Sequence, residues 1–248
     1  MNNQDYMNYL KGKKVILVGP AEYLEGQGRG NEIDEYDVII RMNLGCPVPE
    51  ELKGDLGSRT DVLYHVVMGQ THVKHRPDLF SLHTKKEVMS WKNDGVKWLV
   101  SKRSTKVKRV GHLKKIVGNL IPFIVVPSKI MDALTKALMS NPNMAPVVVA
   151  HVLEADIESL KIIGCDFFKT GYHVGYGGFS EEQAKKGANS STCWGQVSQP
   201  GPLPRHRSRN SKTGRHDIYA QMKYLRNRAR DDSRLDVSEV MERFYGGA

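Results

Sequence analysis

Two apolar runs near the amino end, "KVILVG" (14–19) and "YDVIIRMN" (36–43), constrain the fold more than any other feature of the chain. Neither alternates apolar with polar residues, as a strand with one wet face would. Continuous runs of this kind belong to strands buried on both faces, which occur in parallel sheets covered by their own crossover helices. Similar runs recur as "TDVLYHVV" (60–67), "VKWLVS" (96–101), "FIVVP" (123–127) and "SLKIIGCDFF" (159–168). Ile130, Leu134 and Leu138 give "KIMDALTKALMS" (129–140) helical spacing, and the length of "APVVVAHVLEAD" (145–156) predicts a second helix. "HDIYAQMKYLRNRARDD" (216–232) places Ile218, Met222 and Leu225 on one face of a third. The expectation is an α/β fold, a Rossmann-like, mostly parallel sheet with helices on both faces. At 248 residues, with no internal repeat or linker, the chain reads as a single domain over 1–248.

Two segments resist this pattern. Between the first two strands, "AEYLEGQGRGNEID" is too short and Gly-rich for a full helix, though a helical turn fits near Tyr23 and Leu24. From about Lys169 the periodicity dissolves, and "SQPGPLPRHRSRNSKTGR" cannot bury much surface, so 178–215 reads as a mobile basic loop.

Charge narrows the function. The chain carries a net charge of +10, unevenly spread. "SKRSTKVKRVGHLKK" (101–115) holds seven Lys or Arg and no acid: Lys102, Arg103, Lys106, Lys108, Arg109, Lys114 and Lys115. "RHRSRNSKTGR" (205–215) adds Arg205, Arg207, Arg209, Lys212 and Arg215, again without an acid. Such a field attracts polyanions: nucleic acid, anionic lipid or a charged glycan. No apolar run is long enough to span a membrane as a helix, and the polar start lacks the apolar core of a signal peptide, so a cytoplasmic location is expected. Cys46, Cys165 and Cys193 have no metal-ligand spacing and read as reduced thiols. The first turn lacks both G-x-G-x-x-G and the P-loop lysine signature, which leaves dehydrogenase and NTPase readings unsupported.

Ligands of an open α/β sheet bind at the carboxyl ends of its strands. That directs attention to Gly19-Pro20-Ala21, Arg41-Met42-Asn43, His65 and Gly164-Cys165-Asp166. In chain order, "VGPAEYLEGQGRGNEIDEYDVIIRMN" followed by "DLGSRTDVLYH" (55–65) resembles the large sialyl motif of the animal-type sialyltransferases. Gly19, Gly26, Gly30, Ile33, Asp34, Asp37, Arg41, Met42, Asn43, Gly57, Ser58, Arg59 and Thr60 carry that likeness. More loosely, "NPNMAPVVVAHVLEADIESLKIIGCDFF" (141–168) is similar to the small motif, "GYHVGYGG" (171–178) to the third and "HDIYAQ" (216–221) to the very small one.

The resemblance implies a GT-A-like fold and an inverting transfer that needs no metal and no cofactor beyond a nucleotide-sugar donor, with cytidine or uridine as the nucleotide. It makes His216 the general base and His173 the group that stabilises the leaving phosphate. Donor contacts carried over are Gly19, Pro20, Ala21, Asn43, Asn143, Met144, Ala145, Asp166 and Tyr172. For Arg41 and Arg59 a structural role is favoured, pairing with Asp34, Asp37 or Asp61. Several motif positions depart from the pattern. Pro20 and Ala21 replace Asn and Ser, Asn143-Met144-Ala145 replaces Ser-Thr-Gly, and Gln221 replaces a glutamate. The paired motif cysteines are absent.

Those losses imply a changed sugar, acceptor or both. A basic loop directly before His216 fits a polyanionic acceptor. Glycosylation of hydroxymethylated bases in viral DNA is one such reaction, which requires an exposed or flipped base. DNA is therefore the expected acceptor, with Lys102, Arg103, Lys106, Lys108, Arg109, Arg205, Arg207, Arg209, Lys212 and Arg215 as its contacts. The alternatives are a sialyltransferase acting on a glycan or glycolipid and a non-catalytic nucleic-acid-binding protein. Oligomeric state is left open by the sequence.

Overall fold

The computed structural model describes residues 1–67, 84–167, 170–174, 176 and 217–246. All six expected strands are present, as β1 (Lys14–Val18), β2 (Val38–Met42), β3 (Val62–His65), β4 (Trp98–Ser101), β5 (Phe123–Val125) and β6 (Ser159–Ile163), and a short β7 (Leu235–Asp236) joins them. The sheet runs β5-β4-β3-β2-β1-β6-β7, and every neighbouring pair is parallel. Several apolar runs read from sequence extend past their strands. The overhang lies at the carboxyl ends, in Gly19, Asn43, Val66 and Gly164.

Among the described residues the α-helices are α1 (Asn3–Leu10), α2 (Gly30–Asp34), α3 (Lys53–Leu56), α4 (Lys85–Asn93), α5 (Lys108–Val117), α6 (Ser128–Leu138), α7 (Met144–Val152), α8 (Ile218–Asp231) and α9 (Ser238–Tyr245). On one face, Val15, Leu17, Ile40, Val62, Tyr64 and Val100 pack against α1, α6, α7 and α8. On the other, Ile16, Val18 and Ile39 meet Ile33 and Leu56, while Leu63 and Leu99 meet Val88, Trp91, Val110 and Leu113. Successive residues of one strand thus point into different cores. This is why the sequence shows no alternation.

Six of these helices are absent from the sequence reading: α2 and α3 are single turns, and in the other four composition hides the apolar stripe. In the polar first segment, Tyr6, Met7 and Leu10 are buried, and the Asn2 side chain accepts from the Gln4 and Asp5 amides while Asp5 reciprocates. Thr84 and Glu87 make the same reciprocal cap on α4. In the basic segment, Val110, Leu113 and Val117 are fully buried, so the lysines of α5 are the wet side of an amphipathic helix. At the end of the chain, Val240 and Phe244 are buried one turn apart on α9.

One buried polar chain ties α1, β3 and α7 together. The Asn3 Oδ1 lies 2.7 Å from His151 Nε2, and His151 Nδ1 lies 2.9 Å from the Tyr64 hydroxyl, which is 3.2 Å from that of Tyr6. An amide oxygen only accepts, so Nε2 carries the proton, Tyr64 donates to Nδ1 and Tyr6 donates to Tyr64. Burial holds His151 down to about 4. Between pH 6.5 and that value the unfolded state binds a proton the folded state refuses, so stability falls as pH falls. From pH 7.5 to 5 this one group is expected to cost about 2 kcal/mol. Urea unfolding at the two pH values checks it, and His151→Gln is expected to remove that part of the slope.

Candidate active site

The order of strands reverses direction at one place. From β1 the chain builds outward to β5, then returns to lay β6 on the other side of β1. The carboxyl edge at such a reversal is where an α/β sheet opens toward a ligand. Gly19 and Gly164 meet there, and both need to be glycine. A Cβ on Gly19 would sit 2.1 Å from the Gly164 carbonyl oxygen, and one on Gly164, at φ +66°, would sit 2.5 Å from that of Gly19. The Gly19 amide donates to Ile163 O (2.8 Å) and the Ala21 amide to Gly164 O (3.0 Å).

This contact docks the segment that carries His173. Ala21 bridges Tyr172 in antiparallel fashion, the His173 amide donates to Pro20 O (2.9 Å), and the Glu22 amide donates to Gly171 O (2.9 Å). The Glu25 carboxylate accepts from the Val174 amide at 2.5 Å. Pro20 and Glu22, odd choices for a phosphate cradle, serve instead as the backbone ledge for this segment. His173 is only 4% exposed, and burial lowers its affinity for a proton. Its Nδ1 lies 2.9 Å from Val174 O, which fixes that nitrogen as the donor and leaves Nε2 with the lone pair.

Asn43 stands beside it at the end of β2, at φ +53°. Its Oδ1 accepts from the Val66 amide (3.0 Å), and its own amide donates to Tyr64 O (2.7 Å). Tyr176, which the sequence reading passed over, closes the group. Its hydroxyl donates to Met42 O (3.4 Å), also engages Asn43, and its ring stands edge-on to His173 at 5.5 Å. Tyr172 stacks on the same ring at 4.8 Å. Asp166, at the end of β6, is turned inward and holds the Thr170 amide (2.7 Å) and hydroxyl (2.5 Å).

The glycine loop is already filled. The amides of Gly26 and Gly28 donate to the Asp55 carboxylate at 2.8 and 2.7 Å, which lowers its affinity for a proton. These amides hold an acid of the chain itself. The second half of the large motif is likewise internal. Asp34 accepts from the amide and hydroxyl of Ser58 and the amide of Arg59. The Arg59 guanidinium donates to Asp34 O and Tyr36 O and lies 3.8 Å from Asp61. Arg41, only 3% exposed, donates to Leu56 O, Gly57 O, Arg59 O and the Thr60 hydroxyl.

Further along the same edge, α7 begins at Asn143, whose amide donates to Gln221 Oε1 at 2.5 Å. Gln221 is fully buried on α8, and its Nε2 donates to Asp217 O (3.1 Å). Asp217, the residue after His216, donates its amide to Ser140 Oγ (3.3 Å) and caps α8 through the Ala220 amide. The start of α8 is thus fastened to the start of α7. Met144 and Ala145 are buried there. Lys102, one residue beyond β4, is also buried and donates to Pro142 O. Lys106 and Lys108 are exposed where the chain turns into α5. His216, Arg205, Arg207, Arg209, Lys212, Arg215 and the loop 178–215 lie outside the described residues.

A parallel α/β sheet with a buried histidine at its reversal point and an asparagine one strand away offers a ligand crevice at its carboxyl edge. The sequence profile of glycosyltransferase family 29 (sialyltransferase) matches residues 3–153, and the chain belongs to that family. It is a nucleotide-sugar-dependent glycosyltransferase. Comparison with curated proteins gives no match. Among solved structures, the chain is similar to the Campylobacter jejuni sialyltransferase CstII in complex with CMP-3FNeuAc. The identity is 11%, covering 90% of this chain and 80% of that one, at a TM-score of 0.50. A mammalian sialyltransferase in complex with Gal-beta-1-3GalNAc-ortho-nitrophenol is similar at 15% identity, over 93% and 71% of the two chains, at a TM-score of 0.49. Among the described residues, no cluster of His, Cys, Asp or Glu has the arrangement of a metal site, and no helix is long and apolar enough to cross a membrane.

Gly19→Ala is expected to lower stability by about 3 kcal/mol and to abolish nucleotide binding, because backbone must move to admit the methyl. Gly54→Ala, where a Cβ meets open space, is the matched control and is expected to leave both unchanged. Thermal unfolding with and without cytidine monophosphate reads the difference.

Proposed function

We propose that this enzyme moves a sugar from a cytidine nucleotide, by an inverting displacement without a metal, to a hydroxyl on a hydroxymethylated DNA base. The observation that supports a polyanionic acceptor is the basic stretch 101–115, which holds no acid. Lys106 and Lys108 stand exposed where α5 begins, at the same carboxyl edge as His173 and Asn43. The second acid-free stretch, Arg205–Arg215, immediately precedes His216. Lysines and arginines at such a rim grip phosphates without reading sequence.

In this reading His173 and Asn43 serve the donor. With Nδ1 committed to Val174 O, the neutral ring presents only a lone pair at Nε2, which repels a phosphate. An arriving phosphate favours the imidazolium, so nucleotide binding takes up a proton at Nε2. That proton then bonds the leaving phosphate as negative charge develops on it. Because burial lowers the proton affinity of the free histidine, the affinity for cytidine monophosphate falls as pH rises through the neutral range. His216 takes the proton of the acceptor hydroxyl as general base. The bond from the anomeric carbon to the phosphate oxygen breaks as the bond to the acceptor oxygen forms.

The test uses duplex DNA containing hydroxymethylcytosine and a panel of nucleotide sugars, with the products digested to nucleosides and weighed by mass spectrometry. The expected product is a hexose- or nonulose-bearing nucleoside that persists in EDTA. Transfer to a lactose-type glycan with none to DNA overturns the acceptor assignment. His216→Ala is expected to reduce turnover about a thousandfold, in the range of a lost general base, while leaving nucleotide affinity nearly unchanged.

A further inference from the structure

We propose that Lys102, with Arg103 beside it, binds an oxyanion of the donor, either its phosphate or a carboxylate of its sugar, at the start of α7. The inference rests on the donor reading above and assigns Lys102 a role different from a contact with nucleic acid.

Burial decides against the duplex. Lys102 is only 8% exposed, which fits a side chain inside a cleft and not one meeting a phosphate backbone at the rim. Its ammonium donates to Pro142 O and lies 3.4 Å from Asn141 Oδ1, two neutral acceptors. Neither Lys102 nor Arg103 has a carboxylate within ion-pair distance among the described residues. The Nε of half-buried Arg103 has no hydrogen-bond partner among those residues either. Burying a cation without a counter-charge costs several kcal/mol. Two such cations side by side, each disfavoured by desolvation and repelling one another, make a poor structural brace. They make a good receptor for an anion.

The neighbours point the same way. The N-cap of α7, Asn143, forms no side-chain cap, and Pro146 has no N–H to offer. The amides of Met144 and Ala145 therefore face the positive end of a nine-residue helix, one turn from the carbonyl that holds Lys102. At this turn the sequence has lost the hydroxyls of Ser-Thr-Gly. A charged donor supplies in one group what those hydroxyls supplied in two. Distance fits as well. β4 is three strands from β1, about 14 Å at the usual strand spacing. Along that edge His173 stands over β1 at one end and Lys102 beyond β4 at the other, with Asn43 between them at the end of β2, a separation that an extended nucleotide sugar spans.

Calorimetric titration of wild type and Lys102→Met with cytidine, cytidine monophosphate and CMP-3-fluoro-sialic acid tests the assignment. Lys102→Met is expected to leave cytidine affinity unchanged and to weaken an anionic ligand by about ten- to a hundredfold. Lys102→Arg is expected to recover part of that loss, and Lys102→Gln serves where the methionine variant does not fold. A loss that appears with cytidine monophosphate assigns the phosphate. One that appears only with the fluorosugar nucleotide assigns the carboxylate. Equal losses for all three ligands, cytidine included, mean a structural lysine and overturn the proposal, as does no loss for any. Failure of the wild type to bind any of the three overturns the donor reading itself, and the inference with it.

Discussion

The backbone contact between Gly19 and Gly164 is the constraint on which the rest of the site depends. Parallel strands that part at a reversal point normally leave a crevice between their outgoing loops. Here two glycines close the base of that crevice to carbonyl contact, and Ala21 then reaches across to the Gly164 oxygen. With the base closed, the 171–174 segment docks above it on Pro20 and Glu22, and His173 arrives buried over the ends of β1 and β2. Tyr23 reinforces the junction from below. Its hydroxyl accepts from the Gly164 amide (2.7 Å) and donates to Glu239 (2.6 Å), which in turn receives Arg29. The carboxyl-terminal helix is thereby part of the same support.

The central sheet was legible from apolar runs because burial on both faces removes alternation and leaves a signal little else mimics. α5 was not, since its seven-residue apolar spacing of Val110, Leu113 and Val117 is diluted by lysines that dominate any composition reading. The large motif was legible as a string of residues, but the string does not say which members face a ligand. Asn43 stands at the carboxyl edge, whereas Asp34 and Gly57–Thr60 stitch the loop that enters β3. Tyr176 and the internal bonding of Lys102 were invisible because both depend on contacts across many residues: Tyr176 with Met42, and Lys102 with Pro142.

The same ambiguity governs the glycine loop. Glycines that expose successive amides build a concavity for an anion, and sequence alone does not reveal whether that anion is a substrate or a side chain. Asp55 occupies the concavity here, with two amide bonds under 3 Å. The loop is therefore a device for fixing α3 against the region after β1. Its glycines answer a demand of folding.

Departures from a family pattern divide in the same way, into those that remove a function and those that keep it by other means. In the resemblance to the very small motif, Gln221 takes the place of a glutamate, which implies a lost charge. Yet its Oε1 accepts from the Asn143 amide as a carboxylate oxygen would, and its Nε2 adds a bond to Asp217 O that a carboxylate could not make. The starts of α7 and α8 are thus linked through both ends of one amide. Met144 and Ala145 have no such substitute within their own side chains, since a thioether and a methyl replace hydroxyls outright. A cation is already bonded to this turn, since Lys102 donates to Pro142 O; on the proposal above, the charge of that lysine takes the place of the hydroxyls.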